Sequence, residues 1–310
     1  MSAEHTIFDR DLLTAHRERF AAGAEQHDFL LRHVAEDLAE RLTLVRRRFP
    51  VGVNLGAYHG AVSRRLRELG TIDVLIDLER SPRLLSRCDG PRVLGDEEWL
   101  PFAPASLDLV VSGLALQFVN DLPGTLIQIG RALKPDGLML AALLGGRTLH
   151  ELREAFTQAE TEVEGGASPH IAPFADIRDL GALLQRAEFA LPVADTDTLT
   201  VAYDTAFDLM RDLRSMGAAN VLHERRRAPL RRATVQRAVE IYAERHAAAN
   251  GRIPATFDVI TLTGWAPHDS QQKALRPGPA TTRLADALGA TEQPAGEKTT
   301  HQQVHRPKKE

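Results

Sequence analysis

The sequence predicts an α/β fold in which a mostly parallel β-sheet is covered by helices on both faces. Two observations carry this prediction. Between residues 50 and 146, short apolar segments alternate with segments whose apolar residues recur at helical spacing, which is typical of β-α-β units. The segment LDLVVSGLAL, residues 107–116, is almost continuously apolar, as is typical of a strand buried on both faces.

The overall composition limits the classes of function. A net charge of −4 with 26% charged residues gives no general attraction to nucleic acid or to a membrane surface. The single cysteine, Cys88, excludes a disulfide within the chain and a cysteine-based zinc site, and we predict no metal site. The first residues lack the apolar core of a signal peptide, and no segment approaches the ~20 apolar residues of a membrane span. We therefore expect a cytoplasmic bacterial protein without stable membrane insertion.

The first predicted element is a long amphipathic helix. Residues 28–49 place apolar side chains three and four positions apart, with Asp28 as the N-cap and Pro50 as the residue that ends the helix. We accordingly assign residues 1–49 to an N-terminal helical segment. The α/β domain then takes residues 50–268. The tail, residues 269–310, is predicted to be mostly disordered because it is rich in polar residues, glycine and proline.

The strands and helices of the α/β domain follow in order. The predicted strands are residues 51–55, 72–77, 91–95, 107–116, 138–146, 191–203 and 255–266. The predicted helices are residues 61–69, a short helix from Ser81 with Pro82 in its first turn, and residues 123–133, 147–166 and 176–190. Two further helices, near 205–216 and 230–248, form a predicted helical insertion near residues 204–250.

The turn VNLGAYHG, residues 53–60, carries the first part of a predicted cofactor site. Asn54 lies near the end of the strand, and Gly56 and Gly60 allow a sharp bend and a close approach of the backbone to a ligand. The following helix directs its N-terminal N–H groups at the same place. A dinucleotide enzyme would carry the full G-x-G-x-x-G pattern here, but Tyr58 lies between the two glycines.

Further parts of the predicted site follow the later strands. Asp77, with Leu78 beside it, ends the second strand, where a carboxylate can accept bonds from both ribose hydroxyls. Asp96 and Glu97, in the stretch GDEEWLPF, follow the third strand and are candidates for contact with an adenine amino group. Ser112 lies in the fourth strand. Each part alone also fits a structural role, as a tight turn, a loop contact or a charged surface turn. Together, at the carboxyl ends of parallel strands, they predict a nucleoside-containing cofactor.

Several stretches of the sequence resemble one known family. They are IFDRDLL, GDEEWLPF, FVNDLPGTLIQI, LGGRTLHELR, AETEVEGGASPHIAPF and PATFDVITLTGWAPHDSQ. The family is that of the methyltransferase-domain assembly factors of respiratory complex I. The resemblance implies a Rossmann-like class I methyltransferase fold, whose sheet has seven mostly parallel strands with the last strand antiparallel. It also implies S-adenosylmethionine as the cofactor, and an arginine hydroxylase whose protein partner is a peripheral subunit of complex I.

The chain departs from the family pattern at the cofactor turn. Asn54 stands where the family usually carries an aspartate, and Tyr58 where it carries the central glycine. Gln117 and Phe118 follow the fourth strand, where the family tends to carry His-Trp. The carboxylates at positions 77, 96 and 97 match. The resemblance therefore implies that the ribose and adenine half of the site is retained and that the methionine half is altered.

No catalytic residue follows from these patterns, and Gln117 and His170 are the candidates. His170 lies in the proline-rich stretch GGASPHIAPF, and a histidine side chain suits proton transfer at physiological pH, but the pattern favours a surface or structural histidine in a lid. The basic run of residues 223–237 fits the docking of an acidic partner or a solvated helix face, and we expect it away from the active site. Because no aromatic residues interleave it, nucleic-acid binding is not predicted.

Three functions remain open from the sequence. The chain is a complex I assembly factor that hydroxylates an arginine, an S-adenosylmethionine-dependent methyltransferase that acts on a small molecule or a protein, or an assembly chaperone without catalysis. Hydroxylation needs an oxidant, and the sequence contains no convincing pattern of two histidines and a carboxylate for iron. The oligomeric state is not predicted.

Overall fold

A seven-stranded sheet forms the centre of the structure, a computed structural model that describes residues 6–272. Its strands are β1 (Phe49–Leu55), β2 (Ile72–Glu79), β3 (Arg92–Leu94), β4 (Leu107–Gly113), β5 (Leu133–Leu144), β6 (Ala190–Tyr203) and β7 (Ile253–Trp265). Their order across the sheet is β3-β2-β1-β4-β5-β7-β6. Strands β1 to β5 run parallel, and β7 runs antiparallel to both of its neighbours, β5 and β6. The predicted seven-stranded, mostly parallel sheet is confirmed.

Helices cover both faces of this sheet. They are α1 (Arg10–Phe20), α2 (Phe29–Thr43), α3 (Ala61–Arg67), α4 (Pro82–Leu85), α5 (Leu122–Ala132), α6 (His150–Glu164), α7 (Ile177–Arg186), α8 (Ala206–Ser215) and α9 (Arg232–His246). A 3₁₀ segment, Ala21–Gln26, joins α1 to the turn before α2. The predicted insertion between the last two strands contains α8 and α9, close to the expected positions.

Alternate residues of the central strands face opposite helical layers. In β4, Leu109 and Val111 belong to the core that contains α2, α3, α6, α8 and α9, whereas Val110 belongs to the core that contains α5 and α7. Successive side chains of a strand point to opposite faces, so both sides of β4 are covered. Every residue of β4 is buried, which explains its continuous apolar sequence.

The helix predicted for residues 28–49 ends earlier than the pattern indicated. α2 covers Phe29–Thr43, while Phe49 and Pro50 are the first residues of β1. Phe49 is fully buried and pairs with Ile72 of β2, so sheet pairing overrides the helical spacing of its apolar side chain. Asp28 precedes the helix as predicted, but its side chain makes no capping hydrogen bond.

Helix α1 is an element that the sequence analysis missed. Only Arg10 and Leu13 of this helix are buried, so its apolar stripe is too narrow to give a periodic signal. Asp9 was the sequence feature that could have predicted the start of this helix. Its carboxylate accepts a hydrogen bond of 3.0 Å from the backbone N–H of Leu12 and caps the helix.

The N-terminal segment and the helical insertion meet beside the carboxyl end of the sheet. An isolated β-bridge joins Phe8 to Leu222, and Arg225 lies 3.1 Å from the carboxylate of Asp9. We call residues 6–27 and 206–231 together the cap. Two segments far apart in the sequence therefore form one structure over the predicted site.

The basic run of residues 223–237 does not form one solvated helix face, contrary to the second of its two interpretations. The first half of the run precedes α9, and side chains from both halves form ion pairs with glutamates of α6. Arg226 lies 2.8 Å from Glu164, and Arg237 lies 2.7 Å from Glu162. The run thus attaches the insertion to its neighbouring helix.

Residues 6–271 belong to one compact unit, in which the N-terminal helices pack on the sheet. The proposed division at residue 49 remains a prediction. The predicted disordered tail lies, from residue 273 onward, outside the described residues. Among residues 6–272, no helix is long and apolar enough to cross a membrane.

Candidate cofactor and substrate site

Four segments meet at the carboxyl edge of the sheet, where β1, β2, β3 and β4 end. Gly56 follows β1 with a φ of +65°, which favours glycine. A Cβ atom at this position would overlap the side chain of Ala115 and lie 3.0 Å from Oε1 of Glu97. Gly60, with a φ of +85°, immediately precedes α3. We call residues 56–60, 79–81, 96–98 and 114–118 the rim.

Asn54 and Asp77 belong to a hydrogen-bond network behind the rim, in which Oδ1 of Asn54 is buried without a partner among the described residues. The Nδ2 atom of Asn54 donates to the Ser63 hydroxyl at 2.9 Å, and that hydroxyl donates to one oxygen of Asp77. Arg67 donates to the other oxygen at 2.8 Å. Burial raises the pKa of Asp77 although the bonds from Ser63 and Arg67 act in the opposite direction. Both carboxylate oxygens of Asp77 therefore already have partners inside the protein.

Glu79, rather than Asp77, is the last residue of β2, so the predicted end of this strand was wrong by two residues. The Glu79 carboxylate is buried and lies at the rim. Its Oε2 atom accepts a bond of 2.9 Å from the backbone N–H of Tyr58, and its Oε1 atom accepts one of 3.0 Å from Ser81. Ser81, the N-cap of α4, was the sequence feature that could have identified Glu79. A carboxylate two residues before a helix cap lies at the end of the preceding strand.

Asp96 and Glu97 lie together at the rim, as predicted, but they share an unpredicted partner. The guanidinium group of Arg10, from α1, forms ion pairs with both carboxylates and lies 3.2 Å from Glu98. Burial, followed by the neighbouring charge of Glu79, raises the pKa of Glu97, while Arg10 opposes that shift. The acidic turn thus holds a buried cation in this structure.

Leu78 and Ser112 are structural neighbours of the rim. Leu78 is fully buried in the same core as Val53 and Leu55. The Ser112 hydroxyl donates a hydrogen bond of 2.9 Å to the carbonyl of Leu55 and so ties β4 to β1. Neither side chain is exposed at the edge of the sheet.

Cys88 lies directly behind the glycine turn. A Cβ atom on Gly60 would lie 3.3 Å from its sulfur atom. Burial, with the charges of Asp77 and Glu79, raises the pKa of the Cys88 thiol to about 12. The thiol therefore stays protonated at physiological pH and is a packing group.

Two adjoining cavities lie between the rim and the cap. The first has a volume of about 90 Å³ and the second a volume of about 80 Å³. They share the walls formed by Leu30, Phe118, Leu144, Met216 and Ala218. Gly56 lines the first cavity, so this cavity continues the rim into the interior.

Tyr58 points toward the cap rather than across the glycine turn. Its hydroxyl donates to the backbone carbonyl of Met216 at 3.1 Å, and the guanidinium of Arg17 lies 5.6 Å from the centre of its ring. Burial raises the pKa of Tyr58. The bulky residue at the position of the missing glycine therefore forms a wall of the first cavity and anchors the insertion.

Five polar side chains line the first cavity, among them those of Asp28 and Tyr58. Gln117 extends from the rim, Arg17 from α1, and His27 from the turn before α2. Gln117 was a candidate from the sequence, whereas Arg17 and His27 were not. They carry no motif, and only the folding of the N-terminal segment over the rim brings them to the site.

His170, the other candidate, lines the second cavity. Its Nε2 atom lies 3.2 Å from Glu160, and its ring packs 4.7 Å from the ring of Phe156. Burial alone would raise the pKa of Glu160, but hydrogen bonds from Ser168 outweigh it and lower that pKa. Among residues 6–272, no group of three or more histidine, cysteine, aspartate and glutamate side chains is placed to hold a metal ion.

Comparison with known proteins agrees with this geometry. Residues 53–141 match the model of the methyltransferase domain. The arginine-hydroxylase NDUFAF5 of Rattus norvegicus is 40% identical over 286 residues, which cover 90% of this chain and 83% of the relative. The Homo sapiens protein of the same name gives the same identity and coverage. This chain belongs to the NDUFAF5 family.

Members of another group are also similar to this NDUFAF5-family chain. The malonyl-[acyl-carrier protein] O-methyltransferase of Xylella fastidiosa is 35% identical over 263 residues, which cover 81% of this chain and 87% of the relative. Among solved structures, the YcgJ protein of Bacillus subtilis has a TM-score of 0.54 at 13% identity and covers 75% of this chain and 99% of its own. The chain therefore has the class I methyltransferase fold that the resemblance implied.

Proposed function

We propose that this protein binds S-adenosylmethionine at the rim and hydroxylates an arginine of a peripheral complex I subunit in the bacterial cytoplasm. The observation that carries the proposal is the convergence of Glu79, Glu97 and the Gly56 turn at the carboxyl edge of the sheet. In open α/β sheets, ligands bind at this edge. Membership of the family whose relatives are named arginine-hydroxylases supports the reaction.

The residues of the rim fit the cofactor in charge and in shape. Glu79 and Glu97 offer buried carboxylate oxygens to a ligand that carries a sulfonium and an ammonium group. The acidic turn already holds one cation, the guanidinium of Arg10. Gly56 leaves a close approach that a side chain would fill. In this proposal Glu79 accepts bonds from the ribose hydroxyls, in place of the role predicted for Asp77, and Asp96 contacts the adenine amino group.

When bound, S-adenosylmethionine supplies a sulfonium-linked methyl group and a positive charge beside the substrate cavity. The protein's own residues bind and orient the substrate and exclude water from it. Hydroxylation inserts one atom of molecular oxygen into a bond between a hydrogen and an atom of the arginine side chain. The other oxygen atom becomes water by taking up two protons and two electrons from a separate reductant.

Methyl transfer is the second candidate, because the malonyl-[acyl-carrier protein] O-methyltransferases align with more than four fifths of this chain. Methyl transfer mainly requires that the acceptor is held in line with the sulfonium methyl group, and the cavity that begins at Gly56 is compatible with that requirement. This reaction would transfer the methyl group and release S-adenosylhomocysteine.

Calorimetric titration with S-adenosylmethionine tests the cofactor site. We expect Glu79→Gln to weaken binding by about tenfold or more, because hydrogen bonds to a charged group contribute about 1.5–3 kcal/mol. Asp77→Asn is the matched control, since it changes a carboxylate of the same strand that is bonded to the side chains of Ser63 and Arg67 behind the rim, and we expect a smaller change. If Asp77→Asn weakens binding strongly and Glu79→Gln has the smaller effect, Asp77 rather than Glu79 binds the ribose. If the unmodified protein shows no binding, the non-catalytic assembly chaperone is favoured.

Mass spectrometry of complex I subunits distinguishes the two reactions. Subunits from a strain that lacks this gene are compared with those from the parent strain. We expect one arginine-containing peptide to lose the mass of a single oxygen atom in the deletion strain. Loss of the mass of a CH₂ group would instead support methyl transfer, and unchanged peptides would contradict both reactions.

A further inference from the structure

A chain of hydrogen bonds runs from the helical insertion to the first cavity. The hydroxyl of Tyr203 donates to one oxygen of Asp212 at 2.8 Å. The other oxygen of Asp212 lies 2.8 Å from Nδ1 of His27. Because the carboxylate is an acceptor on both sides, Nδ1 of His27 carries the proton in this pair. When the imidazole is neutral, the Nε2 atom across the ring carries a lone pair that can accept a hydrogen bond from a ligand in the cavity.

The outer end of this chain is held as a donor. Burial, together with the bond to Asp212, raises the pKa of Tyr203. Its hydroxyl therefore stays protonated and keeps donating to Asp212 at physiological pH. This arrangement fixes both the tautomer and the direction of the His27 ring, which is the usual effect of a carboxylate on a functional histidine.

Gln117 provides a second acceptor in the same cavity. Its amide nitrogen donates to the carbonyl of Leu114 at 2.8 Å, which fixes the orientation of the amide group. Its Oε1 atom is buried and has no hydrogen-bond partner among the described residues. A buried carbonyl oxygen without a partner is costly, and a ligand that donates a hydrogen bond would remove this cost.

The walls around these two acceptors are apolar and aromatic. Leu30, Leu31, Leu144 and Met216 line the cavity with Phe118. One planar N–H group already packs against such walls, because the guanidinium of Arg17 lies 5.5 Å from the ring centre of Phe118. Planar N–H groups stack on aromatic faces while their edges donate hydrogen bonds.

Charges of both signs face this cavity. Arg17 from α1 brings a positive charge, and Asp212 from α8 brings a negative one beside His27. Asp28, at the start of α2, also lines the cavity, and its carboxylate lies 3.1 Å from His59 and 2.8 Å from Arg32. Two carboxylates, of Asp28 and Asp212, and two guanidinium groups, of Arg17 and Arg32, therefore lie at or beside the cavity, and their charges balance.

We propose that His27 and Gln117 form a pair of acceptors that recognises a planar N–H donor group of the substrate, with Asp212 and Tyr203 as residues that position His27. Under the proposed function, on which this assignment of the substrate group rests, the donor is the guanidinium group of the target arginine. His27 and Gln117 then determine which side chain enters the cavity, whichever atom of it is modified.

Titration with a small arginine analogue tests this assignment. The probe is N-acetyl-L-arginine methylamide, added to the full chain with histidine labelled with ¹⁵N, with and without saturating S-adenosylhomocysteine. We expect the free protein to show His27 with the proton on Nδ1, and the probe to shift the Nε2 signal. The citrulline analogue, which keeps planar N–H donors without the charge, should also shift the signal, whereas the norleucine analogue should not.

Variants separate recognition from a general effect on folding. His27→Ala and Gln117→Leu should each weaken probe binding by about tenfold, and Asp212→Asn should change the tautomer signal of His27. His33→Ala is the matched control, because His33 and Asp197 form a similar pair, 3.2 Å apart, elsewhere on the surface. It should leave probe binding unchanged.

Each result decides one of the two proposals. An equal shift with the norleucine analogue, or unchanged probe affinity in both cavity variants, would overturn the assignment of the acceptors. Failure of S-adenosylhomocysteine to bind would count against the proposed function only, because the titration without it still measures recognition of the probe.

Discussion

The rim and the cap differ in how the chain builds them. The rim consists of segments at the ends of β1, β2, β3 and β4, so each of its parts follows from a short stretch of sequence. The cap joins segments that lie far apart, as in the ion pair between Asp9 and Arg225, which are 216 residues apart. Short-range structure therefore places the groups of the rim, including Gln117, and long-range structure brings Arg17 and His27 to the cavity.

The largest loss of stability is expected when Gly56 of the rim is substituted. Gly56→Ala places a methyl group against Ala115 and Glu97 in a backbone conformation with positive φ. Overpacking and the left-handed conformation together should lower the free energy of unfolding by about 3–5 kcal/mol. Denaturant unfolding measures this loss.

Gly70→Ala is the control for that variant. Gly70 has nearly the same φ, +66°, but a Cβ atom added there would have no other atom within 4 Å beyond its chain neighbours. We expect a loss of only about 1–2 kcal/mol, from the backbone conformation alone. Equal losses in the two variants would mean that the close contact at the rim is unimportant.

Removing Arg10 tests how the cap holds the rim. Arg10→Ala leaves the buried Glu97 carboxylate without its main partner and should lower the free energy of unfolding by about 3 kcal/mol at neutral pH. The pKa of Glu97 is raised above its ordinary value of 4.5. The cost of the ionised carboxylate is therefore present above that raised pKa, and it disappears as the pH falls and Glu97 takes up a proton.

Denaturant unfolding of the Arg10 variant at neutral pH and at about pH 4–5 measures this dependence. Arg65→Ala is the control, since Arg65 pairs with the largely exposed Glu36 at 2.7 Å, and we expect a change of under about 1 kcal/mol. A loss of stability in Arg10→Ala that does not shrink at low pH would show that Glu97 is not responsible.

The smallest effect is expected at Tyr58, where the rim is anchored to the cap. Tyr58→Phe removes the hydrogen bond to the carbonyl of Met216 and should cost about 1 kcal/mol. Limited proteolysis within residues 216–231 should become faster. Because the ring points away from the glycine turn, the affinity for S-adenosylmethionine should stay unchanged.

Tyr242→Phe is the matched control, because this hydroxyl donates to the carbonyl of Pro254 at 2.7 Å within the insertion core. It should cost a similar free energy without faster cleavage of residues 216–231. Tighter cofactor binding in Tyr58→Phe would contradict a ring that points toward the cap.

The sheet and the position of its rim could be predicted because their signals are local. Buried parallel strands have continuous apolar sequences, and Gly56 and Gly60 mark the first turn. The exact strand end was harder to predict, since Asp77 and Glu79 have the same type of side chain on the same strand. Only the bonds of Ser63 and Arg67 to Asp77 separate the internal carboxylate from the one at the rim.

Apart from Gln117, the charged and histidine side chains at the cavity and the rim could not be predicted from local patterns. His27 acquires its partner from α8, 185 residues later in the chain. Arg10 is a charged residue on a mostly exposed helix until that helix packs on the acidic turn. Such pairings depend on tertiary packing, which single-sequence periodicity does not contain.

The chemistry of Cys88 makes the natural chain a convenient starting point for labelling. The thiolate of an accessible cysteine attacks maleimide and spin-label reagents, and Cys88 is buried and protonated, so these reagents should leave the folded protein unmodified. A cysteine introduced at an exposed position of the cap, such as Phe207 of α8, would then be the preferred labelling site. Distances from that label to a second one on the sheet would report how far the cap moves when a nucleoside enters.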